Sequence, residues 1–238
     1  MNSILRAPFG VNHRQLLVNK QAIQTVLFDL DGTLLDTAPD LANALNAVLE
    51  ANGHAPLPFD AIRPAVSHGG RALIELGFEL PPGHPDFEPR RLQLLDYYLN
   101  NIAQHTRFFS GMEEVLEYIE THGLSWGIVT NKPGWLTNPL LAALKLDQRA
   151  AAIVCGDTLA ERKPHPAPLL HACKLIGSKP EQCLYVGDAE RDIQAGHNAG
   201  MATLVALFGY LMTEDKPEDW GANALIRHPA EILDWISA

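Results

Sequence analysis

Short, uncharged apolar runs that stop abruptly at a polar loop recur along the chain, and this repeated step restricts the fold more than any other feature. Thr25-Val26-Leu27-Phe28 ends at Asp29-Leu30-Asp31-Gly32-Thr33, and Ser125-Trp126-Gly127-Ile128-Val129 ends at Thr130-Asn131-Lys132-Pro133. Ala151-Ala152-Ile153-Val154 runs into Cys155-Gly156-Asp157, Cys183-Leu184-Tyr185-Val186 runs into Gly187-Asp188, and Ala202-Thr203-Leu204-Val205-Ala206 is a fifth such run. Runs this short, bounded by turn residues and lacking polar alternation, fit strands buried on both faces. Between them the apolar spacing is helical, as in 111–121 with Met112, Val115, Leu116 and Ile119, and in 166–176 with Leu169, Leu170, Ala172 and Cys173. Strand, loop and helix in alternation predict an α/β fold, a doubly wound parallel sheet whose ligands gather at the carboxyl ends of its strands. The polar residues that close the runs all fall there.

The alternation fails between about residues 39 and 106. That stretch has helical patterns at 40–51 and 90–101 and Pro/Gly punctuation at 53–58 and 81–89, with few strand-like runs. It is expected to be a helical cap inserted into a core formed by residues 21–38 and 107–238, with 1–20 as an amino-terminal extension. A length of 238 residues suits one core with one insertion. With 47% hydrophobic and 19% charged residues, the composition is that of a folded globular protein rather than a disordered one. A formal charge of −10 and the absence of a Lys/Arg cluster argue against nucleic acid as a partner, because phosphate backbones are gripped by clustered cations. No uncharged apolar run approaches the roughly 20 residues that cross a bilayer, so no membrane partner is expected, and nothing points to an obligate protein partner. Residues 1–20 carry no secretory apolar core, which makes the cytoplasm the expected location. Cys155, Cys173 and Cys183 lack metal-ligand spacing and are expected to be free thiols.

Asp29 and Asp31 stand two residues apart at a strand end, where Gly32-Thr33 let the backbone turn tightly. Alone, the pattern also fits a capping loop with two solvated carboxylates. Thr130, Lys163 ahead of Pro164, and Gly187-Asp188 with Asp192 add a hydroxyl, an ammonium and further acids in separate loops. Taken in order, Asp29-Leu30-Asp31-Gly32-Thr33, Val129-Thr130-Asn131, Lys163-Pro164 and Gly187-Asp188-Ala189-Glu190-Arg191-Asp192 resemble the four motifs of the haloacid dehalogenase superfamily. The resemblance spans about residues 23 to 235 and implies a Rossmann-like core.

Phosphoryl transfer needs an in-line nucleophile, neutralised phosphoryl oxygens and a proton for the leaving alkoxide. The resemblance assigns Asp29 as the nucleophile that forms an aspartyl-phosphate, which divides hydrolysis into two easier steps. It implies a Mg²⁺ cofactor held by the Asp29 carboxylate, the Asp31 backbone carbonyl and the Asp188 side chain, with Asp192 supporting the metal directly or through its waters. Oxygen donors of this kind suit Mg²⁺. Thr130, Asn131 and Lys163 would bind the phosphoryl group, Thr130 and Lys163 acting also in catalysis. Asp31 would protonate the leaving oxygen and then deprotonate water. Dehalogenases of the superfamily lack this second aspartate, so its presence points to phosphate esters rather than carbon–halogen bonds.

Ser67-His68-Gly69-Gly70-Arg71 would face the site from the cap, and Arg71 is the expected contact to a carboxylate or sugar oxygen of the substrate. The ten histidines show no metal-site spacing; His165, near Lys163, is a minor candidate. Trp135 is expected at the site entrance or packed beneath a helix, and Asp36 and Thr37 are expected to cap local backbone. The helical insertion and Gly209-Tyr210 look like the phosphoglycolate phosphatase branch. Residues 67–71 and 215–222 look similar to the N-acetylmuramic acid 6-phosphate phosphatases of cell-wall recycling. A small phosphorylated molecule is therefore the expected substrate. The alternatives are a sugar phosphomutase like β-phosphoglucomutase, which shares the catalytic set, and a non-catalytic phospho-acceptor or binding module.

Overall fold

A computed structural model describes residues 23–237, so the expected extension at 1–20 lies outside the described residues. In chain order the strands are β1 (Thr25–Phe28), β2 (Leu35–Asp36), β3 (Arg107–Phe108), β4 (Ser125–Val129), β5 (Ala152–Val154), β6 (Cys183–Gly187), β7 (Ala202–Ala206) and β8 (Ala224–Ile226). The helices are α1 (Ala38–Ala51), α2 (Phe59–Ile62), α3 (Gly69–Phe78), α4 (Phe87–Asn100), α5 (Met112–Thr121), α6 (Gly134–Ala143), α7 (Ala167–Ile176), α8 (Glu190–Ala199) and α9 (Leu233–Ile236).

The main sheet is parallel throughout, in the order β5-β4-β1-β6-β7-β8. Its strands alternate faces. Val26 and Phe28 pack with Met112, Val115, Leu116 and Ile119 of α5, whereas Leu27 packs with Leu169 and Ala172 of α7 and Ala195 of α8. Burial on both faces explains why the strands read as unbroken apolar runs, and helices on both sides make the sheet doubly wound. The sixth strand, β8, was not expected: three residues at the sheet edge leave too short a pattern to recognise. Helix α6 was also missed, since Gly134 opens it and Pro139 lies inside it.

Helices α1, α3 and α4 build a second apolar cluster, in which Leu41, Leu45 and Leu49 meet Leu73, Ile74, Leu94 and Tyr98. The chain leaves the sheet through β2 and returns through β3, and these two strands pair antiparallel, Leu35 with Phe108 and Asp36 with Arg107. Asp40 ties α1 to the returning chain by accepting hydrogen bonds from the His105 and Thr106 amides at 2.8 and 3.0 Å and from Thr106 Oγ1 at 2.7 Å. Among the described residues, no helix is long and apolar enough to cross a membrane.

Candidate active site

β1 has β4 on one side and β6 on the other, so the chain winds away from it in both directions and leaves a crevice at its carboxyl end. Register sets Phe28 level with Ile128 and Val186, which brings Asp29, Thr130 and Asp188 to adjacent strand ends. The Asp29 amide still donates to Val186 O at 2.9 Å, and the Thr130 amide to Val154 O at 2.9 Å, so sheet hydrogen bonding fixes both residues. Gly32 then turns back with φ +87°, a conformation that suits glycine. A Cβ at Gly32 would collide with the Asp188 carboxylate, which gives the motif a second reason for glycine at this position.

Lys163 is 3% exposed and its ammonium is fully engaged. It lies 2.7 Å from Asp29 Oδ1 and 2.8 Å from Asp192 Oδ1, and donates to Tyr185 Oη at 2.8 Å. The Tyr185 hydroxyl in turn donates a hydrogen bond to Val129 O at 2.9 Å. Burial alone would lower the Lys163 pKa, but the charges of Asp192 and Asp29 outweigh it and hold the ammonium protonated. Asn131 braces this lysine: Nδ2 donates to Lys163 O at 3.0 Å and Oδ1 accepts from Lys163 N at 3.1 Å. The Asn131 side chain is therefore committed to the Lys163 backbone, and only its main-chain amide is left to face a phosphoryl group. Thr130 Oγ1 accepts from the Lys132 amide at 3.1 Å, which leaves its proton available.

Asp31 is held separately. Its Oδ1 accepts from Thr37 Oγ1 at 2.6 Å and from Lys132 Nζ at 2.9 Å. Lys132 also donates to Tyr98 Oη of α4 at 3.1 Å and lies 4.5 Å from that ring's centre. Neither Lys132 nor Tyr98 was singled out from sequence. The one available signal was the place of Lys132 directly after Thr130-Asn131 in a strand-end loop. Thr37 and Asp36 do not cap local backbone as expected. The Thr37 hydroxyl is drawn to the Asp31 carboxylate, and Asp36 accepts from Tyr210 Oη at 2.7 Å.

Asp29, Asp188 and Asp192 each place a carboxylate oxygen within 4.8 Å of the others, and all three are buried. Asp188 Oδ2 accepts from Tyr210 N at 2.9 Å and from Ser67 Oγ at 2.7 Å, whereas Oδ1 is buried without a hydrogen-bond partner among the described residues. Burial, reinforced by Asp29 and Asp192, pushes the Asp188 carboxyl up to about 7. Burial also raises Asp29, against the pull of Lys163. A cation among these oxygens would reverse that cost and occupy the orphaned Oδ1, so the residues fit a hard divalent ion. Asp192 stands behind the other two: Oδ1 meets Lys163, and Oδ2 accepts from Ala189 N at 3.1 Å.

A cavity of about 220 Å³ opens beside Asp188, between the core and Ser67-His68 of the helical layer. The structure does not bring Arg71 to its lining; that side chain is exposed at the start of α3. Trp135 is 47% exposed and is not packed beneath a helix. His165 Nδ1 accepts from Ala167 N at 3.2 Å, a local turn contact. The three cysteines are free and buried, as expected.

The sequence profile of the haloacid dehalogenase-like hydrolase family matches residues 26–206. The chain is 40% identical over 217 residues to an N-acetylmuramic acid 6-phosphate phosphatase of Pseudomonas aeruginosa, covering 91% of this chain and 96% of that protein. It is 45% identical over 211 residues to a phosphoglycolate phosphatase of Xylella fastidiosa, covering 87% and 90%. The crystal structure of a predicted phosphoglycolate phosphatase from Haemophilus somnus superposes with a TM-score of 0.79 at 29% identity, covering 91% of this chain and 99% of that one. With a doubly wound sheet, acids at its central strand ends and relatives of this similarity along nearly its whole length, the chain belongs to the haloacid dehalogenase-like hydrolase family and is a phosphoric monoester hydrolase.

Proposed function

We propose that this protein is a Mg²⁺-dependent phosphomonoesterase that works through an aspartyl-phosphate on Asp29. The observation that carries the reading is the division of labour between two aspartates two residues apart: Asp29 is bound to the fixed cation of Lys163, and Asp31 to the separate Lys132. Oδ1 of Asp29 is held by Lys163, leaving Oδ2 to attack phosphorus. As the ester P–O bond breaks, Asp31 gives its proton to the departing alkoxide, and the free alcohol leaves. Asp31, now a carboxylate, takes a proton from the water that attacks the phosphoaspartate. Inorganic phosphate departs and both aspartates return to their starting states. Lys163 and the Thr130 hydroxyl stabilise the negative charge on the phosphoryl oxygens. Mg²⁺, held by Asp29, Asp188 and the Asp31 carbonyl with Asp192 behind them, would supply further charge neutralisation and orient the phosphoryl group.

Residues 39–106 act in this reading as a cap on the core of 21–38 and 107–238. Their separate apolar cluster supports that division, as do the contacts that close over the site, Ser67 to Asp188 and Arg63 to the Phe208 and Gly209 carbonyls. The substrate is a small phosphate ester, 2-phosphoglycolate or N-acetylmuramic acid 6-phosphate, as the names of the relatives suggest. The three free thiols suit a reducing cytoplasm.

Phosphate release from both esters, with glucose 6-phosphate as the reference, gives the substrate by kcat/KM. Asp29→Asn is expected to abolish turnover and leave the fold intact. Near-wild-type turnover by that variant would refute the nucleophile, and isomerised sugar phosphate in place of released phosphate would make the enzyme a mutase.

A further inference from the structure

Arg191 lies on the first turn of α8, three residues after Asp188, and lines the cavity beneath Ser67 and His68. Its guanidinium is partly buried and, among the described residues, makes one hydrogen bond, from Nη2 to Ser67 O at 2.8 Å. No carboxylate forms an ion pair with it within 4.0 Å among the described residues. The two other acids of the lining turn to neutral amide donors rather than to Arg191. Glu190 accepts from Gln194 Nε2 at 2.9 Å, and Asp215 from the Met212 amide at 2.7 Å. Among the described residues the cavity therefore contains a permanent cation with most of its five donors unassigned, which feels the charges of Asp192, Asp29 and Asp188 but has no carboxylate in direct contact.

The phosphoryl group is not the natural counter-ion, because in the proposed mechanism Lys163 and the Thr130 hydroxyl serve it and a cation held by the acids would neutralise it further. What remains is the part of the substrate that leaves, which faces the helical layer. The names of the relatives denote phosphate esters of very different size that share one chemical feature, a carboxylate: the acid of glycolate and the lactyl acid of N-acetylmuramate. A guanidinium fork pairs with a carboxylate through two parallel hydrogen bonds. Resting on the phosphomonoesterase reading, we propose that Arg191 binds the carboxylate of the leaving group, so that the enzyme selects phosphate esters whose alcohol also carries an acid. The contact expected of Arg71 thus falls to a residue of the core.

The test compares two matched pairs of substrates: 2-phosphoglycolate with 2-hydroxyethyl phosphate, and N-acetylmuramic acid 6-phosphate with N-acetylglucosamine 6-phosphate, which lacks the lactyl acid. In at least one pair the wild-type enzyme is expected to favour the acid by about tenfold or more in kcat/KM, the worth of a charge-assisted hydrogen bond. Arg191→Gln should collapse that ratio towards one, and Arg191→Lys, which keeps the charge without the fork, should retain part of it. Equal losses on both members of the preferred pair would place Arg191 on the phosphoryl group and overturn the proposal. So would a wild-type enzyme indifferent to the acid in both pairs, a result that needs no folded variant. Wild-type protein inert on all four esters would instead remove the phosphomonoesterase reading, and this inference with it.

Discussion

Lys132 bridges Asp31 to Tyr98 with its side chain buried, which in the proposed mechanism makes it a positioning residue for the acid–base step. Burial would lower its pKa, but Asp31 and Tyr98 more than compensate, so it stays charged and fixes one oxygen of Asp31 in place. Lys132→Met should lower kcat by roughly ten- to a hundredfold with little change in KM, because the lost interaction acts on the proton donor and not on bound substrate. Lys132→Arg should recover part of the rate, and an unchanged kcat in the methionine variant would sink the assignment. That lysine was hidden in the sequence for a physical reason: its partners are 101 and 34 positions away, and no local periodicity records a contact between layers. The same limit explains Arg71 and Arg191. Both stand beside glycine- or acid-marked turns, and only the packing of the helical layer on the core decides which one faces the cavity. Asp29, Asp31, Thr130, Lys163 and Asp188 were legible as strand-end or turn residues because each closes an apolar run or stands directly before a glycine or proline that marks where the backbone must turn.

At the scale of elements, α5, β4 and the loop before β5 are clamped by one carboxylate. Glu120 accepts from Trp126 Nε1 at 2.9 Å and from Arg149 Nε at 3.1 Å. Burial works to raise its pKa, yet the hydrogen bonds from Arg149 and Trp126 prevail and hold it below the ordinary 4.5. Since the folded state binds this proton less readily than the unfolded chain, the clamp stabilises fully above pH 4.5, and its contribution is lost as the pH falls through the folded value. Glu120→Gln should therefore lower the melting temperature at pH 7, with the gap to wild type narrowing in acid. A gap that stays constant from pH 7 to pH 3.5 would contradict it. The strands of this region were readable because they are apolar on both faces, whereas α6, opened by glycine and interrupted by proline, presents no comparable stripe.

For the whole molecule, the central fact is a buried cluster of like charges at the point where the sheet's winding diverges. Exhaustive chelation should silence the enzyme and Mg²⁺ restore it. Added Mg²⁺ should also raise the melting temperature, because an ion that binds only the folded state at a hundredfold excess over Kd adds about 2.7 kcal/mol, roughly 5–10 °C for a domain of this size. Activity and melting both indifferent to chelation would remove the cofactor. The antiparallel pairing of Asp36 with Arg107 carries a consequence of another kind. It makes the start and finish of the helical excursion immediate neighbours, so the excursion hangs from the sheet like a pendant on a two-wire clasp. A tight two-residue turn spliced across the clasp would close the remaining chain without stretching it, and evolution could therefore exchange one pendant for another and alter what the catalyst accepts without redrawing the catalyst itself.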